Sequence, residues 1–294
     1  MSHTNRAPYR IPAQRPALAL PDGARLGVHL IVNVEDWTYD QKLPRQLLTA
    51  PGGFEPTPDV PNFAWYSYGM RVGIWRIIEL LERLRIRPTL SLNASVCDTY
   101  PELVRAMHDA RWEIMAHGYF QKAMPATGDE RKTVRDALAR IEAFTGTRPR
   151  GWLGPGLVES FETADILAAE GLTYCCDWGP ADDVPYPLEV ASGSLLAVPY
   201  PVEMNDIVIF GLERRPDDAM LARGKRHFDR LYRESAGRAS IMALALHPWI
   251  SGVPHRVDFL EELLGYIGAR SGVRFMTGGE IADWFLQSAG ALVR

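Results

Sequence analysis

Apolar residues along this chain fall into two alternating rhythms. Short apolar runs at 27–34, 88–93, 112–117, 150–153, 172–176, 195–198, 241–247 and 273–276 predict eight strands. Between them the spacing becomes that of amphipathic helices. Ile74, Ile77, Ile78, Leu81 and Leu84 share one face of 72–84, and Val134, Leu138 and Ile141 one face of the next long segment. Similar faces recur at 164–169, 219–232 and 259–267. Strand and helix taking turns predict a parallel sheet inside a helical shell, and about eight strands are what a (β/α) barrel needs. Two segments break the rhythm. Both 41–68 and 178–194 are rich in Pro and Gly, yet they carry Phe54, Phe63, Trp65, Tyr66, Tyr68, Trp178 and Tyr186, which predicts ordered loops over a pocket.

Composition narrows the class. With 294 residues, 47% of them hydrophobic, the chain can bury a large core, and disorder is excluded. A single domain over 22–294 is expected, preceded by a Pro-rich arm over 1–21 that packs on a neighbouring subunit of a homo-oligomer. Lys and Arg total 32 against 36 Asp and Glu, a net charge of -4 without a basic block, so nucleic acid is not an expected partner. There is no apolar run long enough for a membrane span and no secretory apolar segment at the start, which predicts a cytoplasmic protein without membrane attachment. Cys97, Cys175 and Cys176 cannot build a disulfide framework and read as reduced core residues.

In parallel βα architectures the reactive groups sit just past the strands. Asn33, Glu35 and Asp36 follow the first predicted strand, His117 and Gln121 the third, Asp177 and Trp178 the fifth, and His247 the seventh. Each alone has a plain structural use, as a helix cap, a core histidine or a turn residue. Gathered at corresponding strand ends, they point to one site.

The segments Asn33-Val34-Glu35-Asp36-Trp37, Ala116-His117-Gly118-Tyr119-Phe120-Gln121, Gly151-Trp152-Leu153-Gly154-Pro155-Gly156 and Leu246-His247-Pro248 resemble, in order and spacing, the motifs of the polysaccharide deacetylases (NodB homology, carbohydrate esterase family 4). The resemblance runs from about Leu26 to Phe285. It implies a distorted (β/α) barrel of seven or eight strands that removes acetyl groups from sugars with a divalent metal held by one Asp and two His. In one register Glu35 takes the place of the catalytic base and Asp36 that of the metal ligand; in a shifted register Glu35 itself is the ligand. A metal, if bound, is therefore expected at Glu35, Asp36 and His117.

Two departures stand out. The second metal-binding His, four residues after the first, is Gln121 here, and a neutral amide oxygen is a weak substitute on a zinc-type ion. The arginine that orients the base falls at Leu153, with Arg150 three residues upstream. A branch of cyclic-amide hydrolases, the PuuE-type allantoinases and cyclic imide hydrolases that work without bound metal, resembles the chain at these points. The shared stretches are Asn33 to Asp36, Trp112-Glu113-Ile114 to His117-Gly118, Ala181 to Tyr186, Val198-Pro199-Tyr200, and Asn205-Asp206. The segment from His247 to Arg256 is nearer the imide-hydrolase form.

The resemblance implies hydrolysis of a ring C–N bond in a small cyclic amide, imide or ureide without a tightly held metal. Such a reaction needs a base, an oxyanion donor and an acid. Glu35 is the expected base, with Asp36 beside it raising one carboxyl pKa. His117 or His247 protonates the leaving nitrogen or binds the oxyanion, and Asn33 and Gln121 meet the ring's amide groups. Tyr119, Trp152 and Trp178 form apolar walls, and Asp177 completes the substrate site. The alternatives are a zinc-type de-N-acetylase and a barrel without catalysis that binds a carbohydrate or a partner through its aromatic loops.

Overall fold

The computed structural model describes residues 6–7, 11, 17–179 and 182–288. Nine strands form one sheet: β1 (Leu26–Val34), β2 (Thr89–Leu92), β3 (Glu113–Ala116), β4 (Gly151–Trp152), β5 (Tyr174–Cys175), β6 (Tyr186–Pro187), β7 (Leu196–Ala197), β8 (Ile241–Leu246) and β9 (Val273–Phe275). Their order is β6-β7-β5-β4-β3-β2-β1-β8, with β9 paired to the start of β1. All pairings are parallel except β6 with β7. The sheet curls into a half-barrel, and a parallel bridge between Asn205 and Ala245 draws the chain after β7 against β8. All eight predicted strands are present.

Helices cover the outside: α1 (Val60–Tyr68), α2 (Ile74–Leu84), α3 (Val96–Thr99), α4 (Pro101–Asp109), α5 (Glu130–Thr145), α6 (Thr163–Ala169), α7 (Ala219–Glu234), α8 (Pro248–Ser251), α9 (Pro254–Gly268) and α10 (Gly278–Ser288). Two elements lie where loops were expected. Helix α1 occupies the end of 41–68, capped by Asp59 with Pro61 in its first turn, a start signal outweighed in sequence by the preceding Pro and Gly. Strand β6 lies in 178–194 as an antiparallel edge, where the missing N–H of Pro187 is tolerated.

Strand β1 shows how the core is divided. Every residue in it is buried. Successive side chains point to opposite faces, so Val28, Leu30, Val32 and Val34 pack under the helices while Ile31 joins Met115, Leu153, Cys176, Val198, Ala243 and Ala245 inside the barrel. Continued by two residues at a time, the inner columns run from this apolar floor to polar groups at the carboxyl ends: Ile31 to Asn33 and Glu35, Met115 to His117, Val198 to Tyr200, Ala245 to His247.

Most of the arm 1–21 lies outside the described residues, as does Ala181 of the loop motif. The arm residues that are described bind the body of their own chain: the Arg6 guanidinium pairs with Asp165 (2.6 Å) and donates to the carbonyl oxygens of Phe161 and Glu189, and the Leu18 carbonyl accepts from Ala239. Cys97, Cys175 and Cys176 are free and buried. No helix among the described residues is long and apolar enough to cross a membrane.

Candidate active site

A cavity of about 400 Å³ opens at the carboxyl ends of β1, β3, β4 and β8. Asn33, Glu35, His117, Gln121, Tyr200, Asn205 and His247 line its polar side. Leu153, Pro155, Leu157, Val158, Val202, Leu212 and Trp249 supply its apolar walls.

Glu35 is the centre. Its Oε2 accepts a bond from Trp37 Nε1 (2.7 Å), which turns Oε1 toward two imidazoles, with His247 Nε2 at 3.5 Å and His117 Nε2 at 3.8 Å. The backbone carbonyl of Glu35 accepts from the Tyr66 hydroxyl (2.8 Å). Trp37 stacks on Tyr66 with ring centroids 4.8 Å apart, and Trp249 meets both Trp37 (5.2 Å) and His247 (5.0 Å) edge-on. The aromatics at the end of 41–68 thus build the wall behind the carboxylate.

Each imidazole is held from its far side. His117 Nδ1 donates to the Leu153 carbonyl oxygen (2.7 Å), which turns Nε2 toward Glu35 and the cavity. Gly118, at φ +70°, makes the turn that follows, where a Cβ would press on Pro155. Asn93 fixes this corner by accepting the Asp36 N–H (2.8 Å) and donating to the His117 carbonyl. His247 Nδ1 meets Asp206 Oδ1 (2.6 Å), while Asp206 Oδ2 accepts from the His247 backbone N–H and the Ser251 hydroxyl (both 2.6 Å).

Burial alone would drive both groups neutral. It pushes the Glu35 carboxyl up, but the facing His117 and His247 outweigh it and hold the group down to about 2. It pushes His247 down, but Asp206 and Glu35 outweigh it and raise the imidazole to about 9. At neutral pH Glu35 is therefore a carboxylate facing the His247 imidazolium, with Asp206 behind it. The raised carboxyl expected from a Glu35–Asp36 pair is not what the site contains.

Asp36 does not share the cavity. Glu35 and Asp36 are adjacent in extended chain and point apart; the Asp36 carboxylate accepts from Thr99 Oγ1 (2.8 Å) on the helix side. Trp152 is fully buried core and does not line the cavity. Asp177 sits behind the wall, accepting the Gly154 N–H with both oxygens (2.8 and 3.0 Å); burial and the neighbouring Glu159 push its carboxyl well up. Trp178 donates to Glu159 (2.6 Å), and Tyr119 faces a separate surface hollow. Arg150 lies at the opposite end of its strand, paired with Asp283 (2.5 Å). Asn33 and Gln121 do line the cavity, and each keeps a buried side-chain oxygen, Oδ1 and Oε1, without a hydrogen-bond partner.

Three further residues belong to the site: Asp206, Tyr200 and Asn205. The only sequence signal for them was their place in the Val-Pro-Tyr and Asn-Asp stretches.

The ion that the motifs imply can be weighed against these donors. Zinc-type sites take three or four thiolate, imidazole or carboxylate ligands. The cavity offers Glu35, His117 and His247, whose ligand atoms are not gathered within 4.8 Å of one another; Asp36 is turned away and Gln121 is a neutral carboxamide. That donor set does not fit a zinc-type ion.

Comparison with known proteins agrees with this architecture. Residues 65–175 match the polysaccharide deacetylase family, a span that holds His117 and Gln121 but not Glu35, Asp206 or His247. A probable polysaccharide deacetylase from Pseudomonas aeruginosa PAO1 superposes with a TM-score of 0.81 at 25% identity, covering 93% of this chain and 95% of that one. The PuuE allantoinase superposes with a TM-score of 0.80 at 25% identity, covering 94% and 95%. The peptidoglycan deacetylase of Helicobacter pylori (strain ATCC 700392 / 26695) is 25% identical over 270 residues, 80% of this chain and 90% of that one. The chain is thus similar to polysaccharide deacetylases over residues 65–175, and its whole fold is the distorted (β/α) barrel of the two superposed structures.

Proposed function

We propose that the protein hydrolyses a ring C–N bond of a small cyclic amide, imide or ureide by carboxylate and histidine acid-base catalysis, without a tightly bound metal. The observation that carries this is the pair of buried, partnerless carboxamide oxygens, Asn33 Oδ1 and Gln121 Oε1, on two residues that line the cavity with Glu35, His117 and His247. Buried acceptors without partners cost stability, and the N–H groups of an imide or ureide ring would satisfy them. A cavity of about 400 Å³ suits one such ring, and the likeness to the PuuE allantoinase supports the same substrate class.

The chemistry follows from the facing charges of Glu35 and His247. Water adds to the ring carbonyl carbon; Glu35 takes a proton from it, and His247 delivers its proton to the departing nitrogen. A carboxylate held down to about 2 is a weak base while its counter-charge remains. As His247 gives its proton away, that support vanishes and the proton affinity of Glu35 rises, so the two transfers assist each other. Asp206 orients His247 and stabilises its charged form.

Metal-dependent de-N-acetylation of a sugar is the second reading, supported by the likeness to the Helicobacter pylori peptidoglycan deacetylase. Purified protein is to be offered succinimide, hydantoin, allantoin and an N-acetylglucosamine oligomer, with and without a chelator, alongside zinc quantification. Ring opening that resists chelation is the expected outcome; acetate release that depends on stoichiometric zinc would reject the proposal.

A further inference from the structure

Tyr200 lines the cavity and is 6% exposed. Its hydroxyl receives two N–H bonds, from Asn33 Nδ2 and from Asn205 Nδ2, both at 3.2 Å. Neither amide can be turned over. Asn33 Nδ2 also faces the Leu246 carbonyl oxygen (3.3 Å), which only accepts, and Asn205 Oδ1 accepts the Ile207 backbone N–H (3.2 Å), which only donates. With both lone pairs engaged, the single phenol proton is left without an acceptor among the described residues. The same Asn33 holds Oδ1 without a partner. Tyr200 and Asn33, two lining residues bonded to each other beside Glu35, His117 and His247, thus hold one unused donor and one unused acceptor.

We infer that Tyr200 and Asn33 together bind the O=C–N–H edge of a cis amide, the Tyr200 hydroxyl donating to the scissile carbonyl oxygen and Asn33 Oδ1 accepting the adjoining ring N–H. This deepens the proposed ring hydrolysis and rests on it. A small ring forces its C=O and N–H onto one side, where a neighbouring donor and acceptor engage both. An open acetamido group is trans, with the two pointing apart, and its cis form is scarcely populated. The pair therefore selects rings over acetylated sugars, and rings with an unsubstituted nitrogen over N-alkylated ones.

Tyr200 is then also a catalytic residue. When water oxygen bonds to the carbonyl carbon, the C=O electron pair moves onto the oxygen facing the Tyr200 proton. The pair returns as the C–N bond breaks, with the water proton on Glu35 and the His247 proton on nitrogen. A preoriented donor that gains strength as charge develops lowers the barrier and leaves ground-state binding nearly unchanged.

The test is steady-state kinetics of the full chain on the ring it opens fastest and on its N-methyl analogue. For Tyr200→Phe we expect kcat to fall about 10²- to 10³-fold with KM changed less than about threefold, and for wild type the N-methyl ring to be turned over at least about tenfold more slowly than the parent. Difluorotyrosine at position 200 keeps the shape and both accepted bonds but donates more strongly; it is expected to change kcat at unchanged Tm, which a purely structural role would not do. Ring opening that is insensitive to Tyr200→Phe and difluorotyrosine, or equal rates on parent and N-methyl rings, would overturn this inference alone. Acetate release from an N-acetylglucosamine oligomer with no ring opened would overturn both it and the proposed function.

Discussion

Glu35 keeps its charge in a buried place because two imidazoles face one of its oxygens and an indole N–H holds the other. Glu35→Gln retains the Trp37 bond and the packing but removes the proton acceptor, so kcat is expected to fall about 10²- to 10⁴-fold with the fold intact by circular dichroism. His247 carries its proton up to about pH 9, above the ordinary imidazole value of 6.5. Because its folded value is raised, the acid form is complete below 6.5 and is lost as pH climbs through about 9; kcat is expected to stay level through neutrality and drop on that limb. Asp206→Asn removes the largest support for the charged form, so the drop is expected to move toward 6.5, and a pH–rate profile that stays in place would reject this role for Asp206. At this scale the sequence was informative for Glu35, His117 and His247, which end strands of clear periodicity. Asp206 was not legible as a partner because it lies 41 residues before His247, and Asp36 was misplaced because two acidic letters in a row look like a pair while extended backbone sends them to opposite faces.

The elements around the site depend on a close approach that leaves room for no side chain. The turn Gly69–Gly73, wound as a π-helix between α1 and α2, lies against α8, directly after His247. A Cβ on Gly73 would overlap the Pro248 carbonyl oxygen, and one on Gly69 the Trp249 backbone. Gly73→Ala is therefore expected to destabilise by about 1–3 kcal/mol, read as a lower Tm, and to reduce kcat by displacing His247; an unchanged Tm would show that the contact yields freely. The strands and the longer helices were legible because their periodicity is sustained. Helix α1 and strand β6 were not: the first follows a Pro- and Gly-rich approach, and the second is two residues long and contains proline. For both, tertiary partners supply the stability that local preference lacks.

Across the whole molecule, the inner faces of the strands rise from an apolar floor to one polar layer, and the cavity collects groups 212 residues apart, Glu35 and His247, within 3.5 Å. With Asp36 turned away and Gln121 in place of a second imidazole ligand, purified protein is expected to hold well under one equivalent of zinc and to lose no ring-opening activity on dialysis against chelator; elemental analysis and activity on the same sample check this. The amino-acid order by itself determined the alternation of strands and helices, the side of each strand that faces inward, and the placement of acidic and imidazole groups at strand ends, because all three follow from local periodicity. Only the tertiary structure decided which groups meet: that His247 takes its partner from the chain after β7, that Asp36 is turned away, that the Tyr200 proton is left to the cavity, and that the Glu35 carboxyl is lowered and not raised. Hydrogen bonding and proton affinity depend on distance through space and on burial, and neither is set by separation along the chain.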